Sequence, residues 1–202
     1  MKKLFPILIL LVVALIAVLS VRHKASANSV SSNQPVYTAE GKLVLPASYR
    51  DWTFLTSGFG MNYSNGESSN PMFTNVFVTP EALQGFKASG KWPDKSMFIV
   101  EIYSPASKGS INKSGKYQTN DIMARSIHIK DESRFPGKWA FFGYDDDLKP
   151  SQQIPTTAVC YSCHEQHGAV DTTFVQFYPT LLEIAKKKYT LSAAYVKEEA
   201  GK

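Results

Sequence analysis

The sequence predicts a single α+β domain, an antiparallel β-sheet with flanking helices. Segments rich in β-branched and aromatic residues follow one another through its middle, with short links typical of hairpins. Helical patterns dominate the end of the chain, and strands followed by helices are the order of an α+β fold. The chain of 202 residues has room for one domain with a sizeable core but not for two comfortable ones.

The N-terminus has the layout of a secretory signal peptide: lysines, an apolar run over residues 4–21 and a small-residue motif ending at Ala27. An uncleaved membrane anchor is the alternative, because the run approaches the roughly 20 apolar residues that a spanning helix needs. We expect residues 1–27 to direct export to the periplasm or another extracytoplasmic compartment, where the protein is soluble or N-terminally anchored. The polar residues 28–36 predict a disordered leader.

The net charge of +5 comes mostly from this leader. Four of the 22 basic residues lie in residues 1–27, which contain no acid, so 18 basic residues face 17 acidic ones in the rest of the chain. The domain itself is therefore nearly neutral. It lacks the basic surface that a nucleic-acid partner would require.

Four segments of the domain have the composition of strands. They are FTNVFV (residues 73–78), SMFIVEIYS (96–104), DIMARSIHIKD (121–131) and KWAFFGYD (138–145). Period two puts Phe98, Val100 and Ile102 on one face of the second segment. In the third segment, Ser126 and His128 share a face.

Helices are predicted after the first strand and after the last one. The first helix runs between Thr79 as N-cap and Gly90 as the stop. Another carries the sequence CYSCHEQH and ends near Gly168. A further helix is predicted to start at Asp171 and to restart at Pro179.

The sequence CYSCHEQH carries the strongest chemical signal in the chain. Cys160 and Cys163 are its two cysteines, and His164 follows directly. C-x-x-C-H is the motif of covalent c-type haem attachment. On a helix these three positions lie on one side, so both thiols can add to porphyrin vinyl groups while the imidazole reaches the iron.

Three other uses of the thiols remain open. A tetrahedral zinc site would recruit Cys160, Cys163, His164 and His167, although zinc ligands usually come in two separated pairs. A redox-active pair would resemble a thioredoxin-like motif, which expects a βαβ context. A plain disulfide would close a short loop and stabilise little. Export favours haem, because this covalent attachment is an extracytoplasmic chemistry.

Further segments accompany the cysteine motif, and together they resemble the cytochrome P460 family over roughly residues 36–187. These segments, in the family's order, are RDWTF, FTNVFVTPEAL, WPDKSMFIVE, HIKDESRF, WAFFGY and CYSCHEQHGAVDTTFVQFYPTL. The resemblance implies a cytochrome P460-type haem domain at 37–190, with 191–202 as a C-terminal tail. It also implies one haem c per chain, a five-coordinate iron with an open distal position, and a homodimer.

Two branches of the resemblance differ in chemistry. Active members of the cytochrome P460 family oxidise hydroxylamine or react with nitric oxide and carry a lysine cross-link to the haem, whereas the related cytochromes c-prime-beta lack the link and bind nitric oxide. The cross-linking lysine aligns with Val100, and a glutamate used in hydroxylamine oxidation aligns with Ser126. If that alignment slips, Lys95, Lys108 or Lys113 are the nearest substitutes.

The distal side of the haem has four candidate residues. Phe98, Val100 and Ile102 would form an apolar cap or serve as ordinary core, and Ser126 would lie beside them. A sixth ligand would convert the site to electron transfer. Candidates for it, each of which fits a core or surface role better, are His128, Met61, Met72, Met97 and Met123.

The first hypothesis is an exported c-type cytochrome with one covalently bound, five-coordinate haem. It would bind or transform nitric oxide or hydroxylamine and exchange electrons with a redox partner protein. The alternatives are a lysine cross-linked hydroxylamine oxidoreductase and a six-coordinate electron-transfer cytochrome.

Overall fold

The computed structural model describes residues 33–62, 66–145 and 147–202. The predicted export segment 1–27 and most of the leader 28–36 lie outside the described residues. Gln34–Lys202 form one compact unit that contains all the elements below. Within the described ranges, no helix combines the length and the apolar character needed to cross a bilayer.

Five antiparallel strands form one sheet, in which each strand pairs with the next one along the chain. The strands are β1 (Thr53–Phe59), β2 (Phe73–Val78), β3 (Met97–Ala106), β4 (Tyr117–Lys130) and β5 (Trp139–Tyr144). All four strands expected from the sequence are present. The predicted α+β class is confirmed.

Strand β1 is the strand of this sheet that the sequence did not predict. It lies at an edge of the sheet, and its register with β2 shifts between Phe54 and Thr56. Such a bulge adds a residue to one strand and breaks the period-two pattern. Without alternation the segment lacks the usual sequence pattern of a strand.

The helices are α1 (Pro80–Ser89), α2 (Val159–His167), α3 (Leu182–Lys188) and α4 (Ala193–Ala200), with 3-10 turns at Tyr49–Asp51 and Val175–Phe177. Helix α1 begins with Pro80 at its first position and ends at Gly90, whose φ of 76° is the left-handed conformation that glycine tolerates best. Thr79 precedes this helix as expected, but its side chain forms no capping hydrogen bond.

The helix predicted to start at Asp171 and to restart at Pro179 differs from the structure at both positions. Asp171 starts no helix: its φ is 52°, and Val170 and Thr173 form a bridge that closes a tight turn there. Helix α3 then begins at Leu182 rather than at Pro179, after a turn in which the Tyr178 carbonyl accepts from Leu181 N–H. Residues 191–202, expected to form a tail, contain helix α4.

The sheet separates two hydrophobic cores, because side chains alternate between its faces. One face packs against α1 and the C-terminal segments, with Phe98, Trp92, Phe86 and Tyr195 among the buried residues. The other face packs against the chain that precedes β1, with Ile99, Ile127, Ile129, Leu43 and Trp52 buried. We refer to the first face as the helix face of the sheet.

Candidate functional site

Helix α2 presents the cysteine motif on its inner side. Cys160, Cys163 and His164 are partly buried, whereas Ser162 and Glu165 are exposed. Both cysteines are free thiols. No residue of α2 is fully buried, so the side of the helix that carries the motif remains partly uncovered by protein.

The imidazole of His164 is held in one orientation by a backbone hydrogen bond. Its Nδ1 lies 2.7 Å from the carbonyl oxygen of Thr172. Because a carbonyl can only accept, Nδ1 carries the proton, and in the neutral ring Nε2 keeps a free lone pair. Burial lowers the pKa of His164, against the opposing effect of the Thr172 hydrogen bond, and so favours this neutral form.

Aromatic rings enclose the His164 imidazole. The centroid of Phe174 lies 4.2 Å from that of the imidazole, and the centroid of Phe141 lies 4.7 Å from it, edge to face. Tyr161 ties α2 to β5, because its hydroxyl accepts from Phe141 N–H at 3.3 Å and donates to the Ile154 carbonyl at 3.0 Å. These rings cover part of the His164 side chain, which remains partly buried.

His128 lies directly against His164. The two imidazole centroids are 4.8 Å apart, and the His128 ring stacks on Phe141 with a centroid distance of 4.1 Å and an interplanar angle of 6°. Burial, and secondarily the charge of His164, keeps the pKa of His128 well below its ordinary value of 6.5. The two imidazoles are too close for an iron to stand between them. His128 is thus not placed to be a sixth ligand opposite His164.

Three of the four distal candidates lie together on the helix face of the sheet. Val100 pairs directly with Ser126, and Ile102 stands two residues further along β3 on the same face. All three are only partly buried. Phe98 is different: it is 2 % exposed and packs edge to face on Trp92 within the core.

This partly uncovered patch of the sheet adjoins the residues around His164. Phe98, His128 and Phe141 form one cross-strand row on the helix face, and Val100 and Ser126 belong to the next row. Rows on one face are separated by about 7 Å, the rise of two strand residues. The inner side of α2 and the row at Val100 are therefore neighbouring surfaces, both incompletely covered.

The remaining ligand and cross-link candidates differ in burial and in their contacts. Met97 is fully buried on the opposite face, Met61 and Met123 are exposed, and Met72 is partly buried. Among the lysines, Lys95 pairs with Asp131, while Lys108 and Lys113 are exposed. Strands β1 to β5 contain one lysine, Lys130, whose ammonium donates to the Trp92 carbonyl at 2.7 Å.

The four-ligand zinc alternative requires several donors that converge on one point. Within residues 33–62, 66–145 and 147–202, no three His, Cys, Asp or Glu side chains are grouped so that they could hold a metal ion.

Sequence reasoning did not identify Thr172, Phe141, Phe174 or Tyr161 as part of this site. A backbone carbonyl that accepts from a histidine gives no sequence signal, because every residue has a carbonyl. The three aromatic residues are also typical of strands and helices, so their sequence pattern does not distinguish a site residue from a structural one.

The chain matches a known protein family. The sequence model of a family described as Cytochrome P460 matches residues 46–175, which is more than half of the chain. The matched range includes the whole sheet, helix α2 and the turn that carries Thr172. No curated protein matches the chain significantly.

Proposed function

This chain belongs to the cytochrome P460 family, a family of haem cytochromes, and we propose that it holds one haem c covalently through Cys160 and Cys163, with His164 as the axial ligand. The observation that carries the proposal is which ring nitrogen of His164 bears the proton. Its Nδ1 proton is committed to the Thr172 carbonyl, so the free Nε2 lone pair is the donor that an iron takes.

The surfaces around the motif fit a large flat apolar group. The inner side of α2 bears two free, partly buried thiols three positions apart. The helix face of the sheet leaves Val100, Ile102 and Ser126 partly exposed, while Ile99 and Ile127 on the opposite face are completely buried. A covalently held porphyrin would cover the apolar area that the protein leaves open.

A bound haem supplies an iron that binds small diatomic molecules and exchanges single electrons. The residues of this chain set its surroundings. Phe141, His128 and Phe174 pack against the imidazole, and the Thr172 carbonyl holds the proton on Nδ1. On the distal side, Val100 and Ile102 offer no polar group. We infer that the protein is exported, keeps a five-coordinate iron, binds uncharged nitric oxide and exchanges electrons with a redox partner protein.

Hydroxylamine oxidation is the second candidate, and the strand residues argue against it. A cross-link would need a lysine on the helix face of β3, but β3 contains none. General bases near neutral pH are usually His, Glu or Asp, whereas the residue paired with Val100 is Ser126. A six-coordinate carrier would need a ligand opposite His164, and neither His128 nor Met97 is placed to supply it.

Maturation and spectroscopy test the proposal. The protein is produced in an export-competent host with the machinery for c-type haem attachment. We expect the denatured chain to retain haem, and the Cys160→Ala and Cys163→Ala double variant to lose it. The ferrous protein should show a five-coordinate spectrum that changes on addition of nitric oxide. A colourless matured protein with two titratable thiols would rule out haem attachment, and sharp low-spin bands would favour the six-coordinate carrier.

A further inference from the structure

We propose that His128 and Thr172 are positioning residues that set the orientation and the hydrogen bond of the His164 imidazole. The inference rests on the proposed role of His164 as axial ligand. It assigns to His128 a function on the same side as His164, in place of the distal role considered from the sequence.

One residue of the turn after α2 contacts both imidazoles. The carbonyl oxygen of Thr172 accepts from His164 Nδ1–H at 2.7 Å, and its hydroxyl Oγ1 lies 3.2 Å from His128 Nε2. The two rings also touch each other, with centroids 4.8 Å apart and an interplanar angle of 73°. Thr172 therefore links the His164 ring to the sheet through His128.

His128 is a rigid anchor for this link. It belongs to β4, with hydrogen-bonded strands on both sides, and is 6 % exposed. Its ring stacks on Phe141 and contacts Trp139 with a centroid distance of 4.5 Å. A histidine fixed in this way holds the Thr172 hydroxyl, and with it the neighbouring carbonyl, at a defined place.

The turn is also held on its other side. Asp171 has a φ of 52°, in the left-handed region that aspartate tolerates better than most non-glycine residues. On its far side, the Thr173 hydroxyl accepts from Trp92 Nε1–H at 2.8 Å. The hydrogen bond between the Thr172 hydroxyl and His128 fixes the side of the turn that faces His164.

Loss of this link has a predictable chemical effect. A hydrogen bond from Nδ1 to a carbonyl raises the basicity of a metal-bound imidazole. Loss of such a hydrogen-bond partner usually lowers metal affinity about 10–100-fold. A more basic axial ligand favours the ferric over the ferrous iron. Weakening the hydrogen bond should therefore shift the equilibrium toward the ferrous form and weaken the bond between iron and His164.

The test uses the matured holoprotein and conservative variants. Thr172→Val keeps the shape of the side chain and removes the hydroxyl, whereas Thr172→Ser keeps the hydroxyl. Thr180→Val is the matched control, since Thr180 is exposed in the same C-terminal segment. The readouts are the iron–histidine stretching frequency of the ferrous protein by resonance Raman spectroscopy and the reduction potential. Thermal unfolding of each variant reports whether it is folded.

For Thr172→Val we expect a lower stretching frequency and about a tenfold higher ratio of ferrous to ferric protein at a fixed potential, which corresponds to about 59 mV for one electron. Thr172→Ser and Thr180→Val should keep the wild-type values. His128→Phe, which retains the stacked ring and loses the hydrogen bond, should show the same shift, and the double variant no more than either single one.

Wild-type values in Thr172→Val, or an equal shift in Thr180→Val, would overturn the positioning role. Additive shifts in the double variant would show that the two residues act separately and would also overturn it. Failure of the proposed function has a different result. The wild-type protein would then carry no covalent haem, or His164→Ala would leave the haem spectrum unchanged.

Discussion

At the scale of single residues, the proposed choice between nitric oxide binding and hydroxylamine oxidation depends on Val100 and Ser126. They face each other across β3 and β4, on the part of the helix face that the protein leaves incompletely covered. By the family resemblance, a lysine and a carboxylate at these two positions would serve hydroxylamine chemistry, whereas Val100 and Ser126 provide one apolar side chain and one hydroxyl. The two positions expected from the resemblance to hold the lysine and the glutamate are direct neighbours in the sheet.

The Val100→Lys variant tests this placement. A lysine at this position should reach the haem, and we expect a strongly red-shifted Soret band and some turnover of hydroxylamine. Met123→Lys is the control, because Met123 is 59 % exposed on the neighbouring strand. An unchanged absorption spectrum and no turnover in Val100→Lys would contradict the alignment of Val100 with the cross-linking lysine.

Glu101 is a second residue whose role follows from its neighbours. It is completely buried on the face opposite the site and accepts hydrogen bonds from Tyr49, from Tyr103 at 2.8 Å and from Arg50 at 2.7 Å. A buried charge is tolerated when its acceptor sites are used in this way. The network fixes the 3-10 turn Tyr49–Asp51 against β3, directly behind Val100.

Truncation of Glu101 should therefore be costly. Glu101→Ala removes the common acceptor of two buried tyrosine hydroxyls, so we expect a loss of about 3 kcal/mol in the free energy of unfolding. Urea denaturation measures it. Glu67→Ala, at an exposed position, serves as the control. A loss below about 1 kcal/mol would show that the network contributes little.

At the scale of elements, the turn that follows α2 is the critical connection, because it brings Thr172 back to His164. Gly168 ends the helix, with its N–H bonded to the His164 carbonyl at 3.0 Å. A Cβ at this position would lie 2.6 Å from that carbonyl oxygen and 2.9 Å from Thr173 N. Only glycine lets the turn fold back so closely.

The Gly168→Ala variant should disturb both stability and the site. Backbone atoms on both sides must move apart, so we expect a loss of roughly 1–3 kcal/mol, together with a weaker hydrogen bond at His164. Gly137→Ala provides a matched control, because a Cβ added at Gly137 would have no heavy atom within 4 Å. Thermal unfolding measures the stability, and the ferrous spectrum reports on the site. Equal effects of the two substitutions would argue against this close packing.

The link between β4 and β5 is held by a buried carboxylate. Asp131 accepts hydrogen bonds from Lys95, from Ser133 at 2.8 Å and from Arg134 N–H at 3.1 Å. Burial raises the pKa of Asp131, but the hydrogen bonds and the charge of Lys95 outweigh it, so that the pKa is lowered from 3.8. The folded chain therefore binds fewer protons at Asp131 than the unfolded chain in mild acid.

Because of this difference in proton binding, the free energy of unfolding should fall as the pH falls. The stabilisation from Asp131 is present above pH 3.8 and is lost as the pH falls from there through the lower folded-state pKa. Asp131→Asn should be less stable by about 3 kcal/mol at neutral pH and should lose stability less steeply in acid. Urea denaturation at several pH values measures both, with the exposed Asp121→Asn as control. Parallel pH curves for Asp131→Asn and the wild type would refute the contribution of Asp131.

At the scale of the whole molecule, the sheet supports two cores with different degrees of closure. The core opposite the site is sealed by the chain before β1. The helix-face core is closed by α1, α3 and Tyr195 of α4, and neither Val100 nor Ser126 of the neighbouring row belongs to it. Under the proposed function, a haem attached to α2 would complete the helix-face core and become part of the folded structure.

Haem attachment should consequently stabilise the entire domain. We expect the Cys160→Ala and Cys163→Ala double variant to unfold at a temperature roughly 6–12 °C lower than the matured wild type, which corresponds to about 3 kcal/mol for a chain of this size. Calorimetry measures the difference. The same double substitution compared in unmatured, haem-free protein is the control and should change the unfolding temperature little. Equal unfolding temperatures of matured wild type and double variant would show that haem is not needed to complete the core.

Local sequence determined several parts of this protein without tertiary information. The composition of FTNVFV predicted β2 with its observed bounds, and Pro80 and Gly90 delimited α1, because both signals act on the backbone nearby. The spacing of Cys160, Cys163 and His164 predicted one helical side, and the structure places all three on the inner side of α2.

The tertiary structure decided what these residues face. Edge strand β1 is irregular because of its bulge, and α4 is held by contacts with distant residues, such as Ser192 with the Gly168 carbonyl at 2.7 Å. The bond from His164 to the Thr172 carbonyl and the packing of His128 depend on how strands and turns from different parts of the chain come together. No periodicity or motif encodes such contacts. The sequence by itself therefore determined the C-x-x-C-H motif and its place on a helix, and the packed sheet and turn determined the surroundings of its side chains.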